Sequence, residues 1–149
     1  MRLNRTILAI LLAGLVAGTI DIGAACLIGH LPPQVIMQAI ASGVLGKASF
    51  TGGANTAFVG LLLQWAMSIV IAAIYIGLAQ MTPALKRLWI AGGLAYGVVI
   101  YLVMNFVVVP LSNAPFKHHA FNPTKAGEDV LAMLLFGLIV ARFARSVAA

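Results

Sequence analysis

The sequence predicts an all-α membrane protein: a bundle of four transmembrane helices with a short amphipathic or re-entrant helix between the first two spans. Three observations carry that expectation. Of the 149 residues, 62% are hydrophobic and 8% charged, and the mean hydropathy is +1.08. Soluble domains run at about 45–50% apolar and about 25% charged. Four apolar runs are separated by short stretches rich in Pro, Gly and polar residues. The basic residues flank those runs and form no patch. The net charge of +6 therefore does not point to nucleic acid, which needs clustered bases interleaved with aromatics.

A single integral membrane domain over residues 1–149 is expected, with spans at about 6–29, 55–80, 88–111 and 125–144 and an outer helix at about 33–46. The first span, Thr6 to Gly29, has the roughly 20 apolar residues that a crossing needs. Arg2 and Arg5 before it resemble the start of a secretory signal, but no small-x-small site with a polar mature sequence follows, so a retained anchor is expected. Pro32-Pro33 breaks the helix, and Pro33 suits the first position of the next one, with Gly46 as its stop. That segment is too short to span. Gln34, Gln38 and Ser42 share one of its faces, so it lies at the membrane surface or tucks among the spans. Lys47 to Gly53 reads as a polar, Gly-rich turn.

On the second span, Gly60, Gln64, Ser68 and Tyr75 fall within about 80° of one another, a polar stripe that belongs against protein or a cavity. Met81-Thr82-Pro83 ends it. The third span begins at an interfacial Trp89, carries Gly93, Tyr96, Gly97, Tyr101 and Asn105, and ends at Pro110. The last apolar run, Val130 to Ala141, spans if its helix starts near Lys125 and Arg142 and Arg145 snorkel. With four spans, Arg2, Arg5, Lys86, Arg87, Arg142 and Arg145 fall on one side and Lys47, Lys117 and Lys125 on the other. The positive-inside rule then puts both termini in the cytoplasm. Asp21, Glu128 and Asp129 lie in the outer half. Gly14-Leu15-Val16-Ala17-Gly18 and Gly93-Leu94-Ala95-Tyr96-Gly97 hint at an internal repeat.

Asp21 is the residue that most needs an explanation, because a carboxylate inside an apolar run is costly and by default a functional-site hypothesis. Gly14, Gly18, Asp21 and Ala25 share one face, so Asp21 sits where a neighbouring backbone can approach closely. Its candidate partners are Lys47, Gln64, Tyr75, Tyr101 and Asn105. The plainer reading is a hydrogen bond between helices; the sharper one is an acid that senses a proton or cation. The candidate intramembrane polar site is thus Asp21, Gln64, Ser68, Tyr75, Tyr101 and Asn105, and the candidate packing residues are Gly14, Gly18, Gly93 and Gly97. His118 and His119 with Glu128 and Asp129 are weak metal candidates; adjacent loop histidines are more often solvated, and acids suit a helix's first turn. No metal or other cofactor is expected.

Three stretches, A-G-T-I-D-I (Ala17 to Ile22), Q-A-I-A-S-G-V-L-G (Gln38 to Gly46) and M-N-F-V-V-V-P-L-S (Met104 to Ser112), resemble small bacterial inner-membrane proteins loosely related to the YagU-like family. The likeness extends to the layout of four spans with a short outer helix after the first. It implies a bacterial inner membrane and brings a link to acid tolerance, not a mechanism. The YagU-like proteins are longer and offer no acid equivalent to Asp21, so the resemblance carries over no site residue.

No nucleophile with a flanking base pattern such as G-x-S-x-G is present, so an enzyme is not expected. The preferred expectation is a non-enzymatic accessory or structural component that packs with itself or within a larger membrane complex. The alternative is a transporter or sensor of a small solute, proton or lipid that uses Asp21. The expected partners are the lipid bilayer and either further copies of the chain or a membrane-protein complex, not nucleic acid.

Overall fold

The computed structural model describes residues 2–112 and 123–146, and the described residues are almost entirely helical. Helix α1 covers Arg2–Gly29. It ends in a Schellman-type cap: His30 takes a left-handed φ of 52°, and the Leu31 N–H donates to the Cys26 carbonyl at 3.3 Å. Glycine is the usual residue at such a position.

Helix α2, Pro33–Leu45, opens with Pro33 in the first turn and stops at Gly46, whose φ is 65°. Its polar positions divide between the two sides. Gln38 and Ser42 are buried and Gln34 is exposed. Gln38 Nε2 donates to the Gly53 carbonyl at 3.1 Å, and Ser49 Oγ donates to the Gln38 carbonyl at 2.6 Å. In an apolar surround polar side chains gain by turning toward protein, which explains the inward position of Gln38 and Ser42. The stretch expected as a turn forms a 3-10 helix, Gly46–Thr51.

Helix α3, Gly53–Met81, buries Ala57, Gly60, Gln64, Ser68, Ala72, Tyr75, Ile76 and Ala79, a stripe of small and polar residues at helical spacing. Gly60 is where α2 docks: a Cβ there would overlap the Met37 carbonyl oxygen. Thr82 is extended and Pro83 opens the short helix α4, Pro83–Arg87. Helix α5 runs Trp89–Val103 and widens into a π-helical turn, Met104–Val108, before the short α6, Val109–Leu111. Pro110 has no N–H and its ring crowds the carbonyl four residues back, so the preceding turn widens and the helix continues to Leu111. Helix α7 covers Pro123–Ser146.

Three of these helices, over Leu3–Gly29, Gly53–Met81 and Trp89–Val108, are long and apolar enough to cross a membrane. The described structure is therefore that of an all-helical, multi-pass membrane-type protein. Its surface is rich in exposed Leu, Ile, Val and Phe, as a lipid-facing surface requires.

The helices are joined by seams of small residues. Gly14 and Gly18 of α1 meet α3: a Cβ on Gly14 would come 2.6 Å from Ile69 Cα, and one on Gly18 would come 2.6 Å from Ser68 Oγ. Gly93 and Gly97 of α5 meet α7 in antiparallel register, Gly93 against Gly137 and Ala141, Gly97 against Met133 and Leu134. Both G-x-x-x-G stretches thus pack on the long helix that follows them, and close backbone approach is what such residues permit. Helix α7 also lies along α1, where Ala9, Ala13 and Ala17 join Phe136, Val140, Ala141 and Ala144 in the core. The long helices therefore follow the order α3, α1, α7, α5 around the bundle. Helices α3 and α5 meet at Tyr96, whose hydroxyl donates to the Ile71 carbonyl at 2.7 Å, and make little other direct contact.

Candidate functional site

Asp21 is half-buried on the α1 face that meets α3. Its position there follows from the sequence: Gly14 and Gly18, about two turns and one turn earlier, bring the α3 backbone close enough for a side chain to cross. Gln64 crosses. Its Nε2 donates to Asp21 Oδ2 at 2.9 Å and also approaches the Gly18 carbonyl at 3.3 Å. Beside this bond, Trp65 Nε1 donates to Thr19 Oγ1 at 3.1 Å, and Thr19 Oγ1 donates to the Leu15 carbonyl at 2.7 Å.

The carboxylate also borders a cavity of about 190 Å³, shared with Ala25, Tyr101, Met104, Asn105 and Asp129. Asp21 comes from α1, Tyr101 from α5, Met104 and Asn105 from the π-helical turn, and Asp129 from the second turn of α7. The Asn105 amide donates to the Tyr101 carbonyl at 2.9 Å, which fixes its orientation at the rim. A π-turn at such a place is common at functional sites, because it re-aims side chains that a regular helix would point elsewhere. Among the described residues, the lining includes Asp21, Asp129 and Asn105 and no basic residue. Lys47 does not border it.

The structure separates what the sequence groups into one stripe. Gln64 reaches Asp21, and Ser68 is buried beneath Gly18. Tyr75 lies three turns further along α3, about 16 Å away at 1.5 Å per residue. It stacks on Tyr96 at a ring separation of 4.8 Å, and its buried hydroxyl has no hydrogen-bond partner among the described residues. Tyr101 and Asn105 do join Asp21, through the shared cavity. Of the weak metal candidates, Glu128 is exposed, Asp129 belongs to the Asp21 cavity, and His118 and His119 lie outside the described residues. Among the described residues, no three His, Cys, Asp or Glu side chains are arranged to hold a metal ion.

Two features of the site escape sequence reasoning. Asp129 faces Asp21 because α7 packs antiparallel on α1, a pairing no local pattern announces. Its one signal is that both acids fall in the outer half. The second is an apolar groove of about 460 Å³ between α3 and α5, walled by Met67, Ile71, Tyr96, Val99, Val103 and Met104. The Tyr96–Ile71 hydrogen bond lies at one end of it. Met104 borders both the groove and the Asp21 cavity.

Comparison with protein-family models, with curated proteins and with solved structures finds no match for this chain.

Proposed function

We propose that this chain is a non-enzymatic, four-span protein of a bacterial inner membrane, with both termini cytoplasmic, that binds a proton, a small cationic solute or a lipid at the Asp21 cavity. The topology follows from the arginines, which all fall on one side when residues 123–146 cross as the fourth span. Support for that crossing comes from α7 lying antiparallel along α5, from Gly93 opposite Ala141 to Gly97 opposite Met133.

The single observation that carries the binding reading is that Asp21 and Asp129, from different helices, border one cavity. A lone structural acid would be satisfied by its partner in a dry seam. Here Asp21 is held by Gln64 and also lines a space that Asp129 lines. An intramembrane acid that lines a space, and not only a dry seam, is placed to take up a proton or meet a cationic group. Intramembrane acids of this kind mark ion and proton paths.

The accessory or structural reading is the second one, and the Asp21–Gln64 bond favours it because that bond ties α1 to α3. Vesicles reconstituted with wild type or with Asp21→Asn, loaded with a pH-sensitive dye, separate the two. Flux or cation-dependent binding that is lost in Asp21→Asn supports the binding reading. Unchanged flux together with lowered thermal stability would assign Asp21 to packing and overturn it.

A further inference from the structure

We propose that the end of the bundle formed by α4 and the last turns of α7 holds the head group of an anionic phospholipid, at a site separate from the Asp21 cavity. Lys86 and Arg87 are carried by α4, and Arg142 and Arg145 by α7. The two helices touch. The Arg145 guanidinium carbon lies 5.8 Å from the centre of the Trp89 ring, inside the cation–π range of about 6 Å. That contact fixes a cation of α7 at the residue where α5 begins, just after Arg87. Leu85 anchors α4 by packing against the core.

Charge decides the partner. None of the three acidic side chains of the chain is at this end. On α7, Glu128 and Asp129 are about 20 Å from Arg142 at 1.5 Å per residue. On α3, Gln64, which holds Asp21, is about 24 Å from Gln80 on the same count. Lys86 Nζ donates to Gln80 Oε1 at 3.2 Å, a neutral partner that leaves its charge in place. Arg87, Arg142 and Arg145 are exposed. Arginine presents a planar fork to phosphate oxygens. Stacking on Trp89 occupies the face of the Arg145 guanidinium, and its N–H groups project from the edge.

The surroundings make the anion a lipid. On α7, Arg142, Leu135 and Leu131 fall within about 40° of one another, and both leucines are exposed. Arg142 to Leu131 covers about 17 Å at 1.5 Å per residue, close to the roughly 15 Å of hydrocarbon in one leaflet. Leu88 and Ile90, on either side of Trp89, are exposed as well. A head group at the cations therefore has an apolar face along which its acyl chain lies. A further helix would need small residues for close approach, and Gly93, Gly97 and Gly137 are already packed in the α5–α7 seam.

The test uses the purified full chain in non-ionic detergent. Dioleoyl phosphatidylglycerol or dioleoyl phosphatidylcholine is added at equal mole fraction, and bound lipid is counted by native mass spectrometry. Phosphatidylglycerol should be retained about tenfold or more over phosphatidylcholine, whose choline the same cations repel. Arg142→Gln and Arg145→Gln should each cut that preference about fivefold, the scale of one basic residue against an anionic surface. Arg87→Gln gives the same readout where a change on α7 disturbs packing. Arg145→Lys keeps the charge without the stacked plane and should recover part of the preference. Lys47→Gln, an equal loss of charge in the 3-10 helix after α2, should leave it intact.

Equal retention of the two lipids, or a loss in Lys47→Gln as large as in Arg142→Gln, would overturn the site. Displacement of the lipid by millimolar inorganic phosphate would make it a site for a free anion and overturn the lipid. Failure to retain either lipid would overturn it as well. Disulfide-linked pairs of Leu135→Cys, made in a Cys26→Ser background and placed in phosphatidylcholine vesicles, would then assign this face to a second copy of the chain.

Discussion

Gln64 spans the seam between α3 and α1 to donate to Asp21 at 2.9 Å, and the same nitrogen lies 3.3 Å from the Gly18 carbonyl. Replacing Gln64 by Leu keeps the volume but leaves a carboxylate oxygen without its donor, at a cost of about 1–3 kcal/mol. Removing both polar groups together, in Gln64→Leu with Asp21→Leu, should restore much of that loss. Thermal unfolding of the two single variants and the double variant checks this. Additive losses would show that the bond contributes nothing of its own.

Tyr75 and Gly92 give a second coupled pair. A Cβ on Gly92 would come 2.6 Å from the Tyr75 hydroxyl, which has no described hydrogen-bond partner. Gly92→Ala should therefore destabilise by about 1–3 kcal/mol. Tyr75→Phe alone should cost nothing and gain up to about 1 kcal/mol, since an unsatisfied buried hydroxyl is removed. In the Tyr75→Phe background Gly92→Ala should be nearly silent. Chemical-denaturation midpoints in detergent read all three.

Glycines divide by what a methyl group would meet. At Gly137 a Cβ would overlap the Gly93 carbonyl oxygen, and both sides of that contact are backbone that cannot yield. At Gly77 nothing lies within 4 Å. Gly137→Ala should lower the unfolding midpoint sharply, with a cost of about 1–3 kcal/mol or more. Gly77→Ala should be neutral or stabilising by up to about 1 kcal/mol from helix propensity. Equal effects at the two sites would remove the basis for the α5–α7 seam.

His30 holds a left-handed backbone conformation, is exposed, and ends α1. His30→Gly should stabilise by about 0.5–1 kcal/mol, because a side chain in that region costs about 1–2 kcal/mol. His30→Val should destabilise by a similar amount. A thermal-shift comparison of the two variants with wild type gives the answer directly.

Much of the helical layout is legible in the chain because the signals are local. Pro33 begins a helix, Gly46 stops one and Thr82-Pro83 ends α3, each for a backbone reason that needs no partner, whereas the short helix Pro83–Arg87 lies where the sequence reads as an interruption. The Gly14/Gly18 face is legible too, since four-residue spacing fixes which side chains share it. What is not legible depends on helices choosing neighbours. The pairing of α7 with α1, which brings Asp129 to Asp21, follows from the fit of alanines and Phe136 across a seam. The division of Gln64 from Tyr75 has the same origin: both lie on one stripe of α3, but the stripe meets α1 at one level and α5 at another. The inward-facing polar side of α2 reverses the pattern for water-soluble helices because the surrounding solvent is oil.

The order α3, α1, α7, α5 has a consequence for how the protein is made. Helix α5 rests almost wholly on α7, yet α7 leaves the ribosome after the other three long helices. Until residues 123–146 are synthesised, the Gly93/Gly97 seam has no counterpart and the core alanines of α1 are covered on one side alone. The first three long helices are thus a waiting assembly, and α7 is its keystone. A chain interrupted before Pro123 would be caught in that unfinished state and exposed to membrane proteases, however well its earlier helices had inserted.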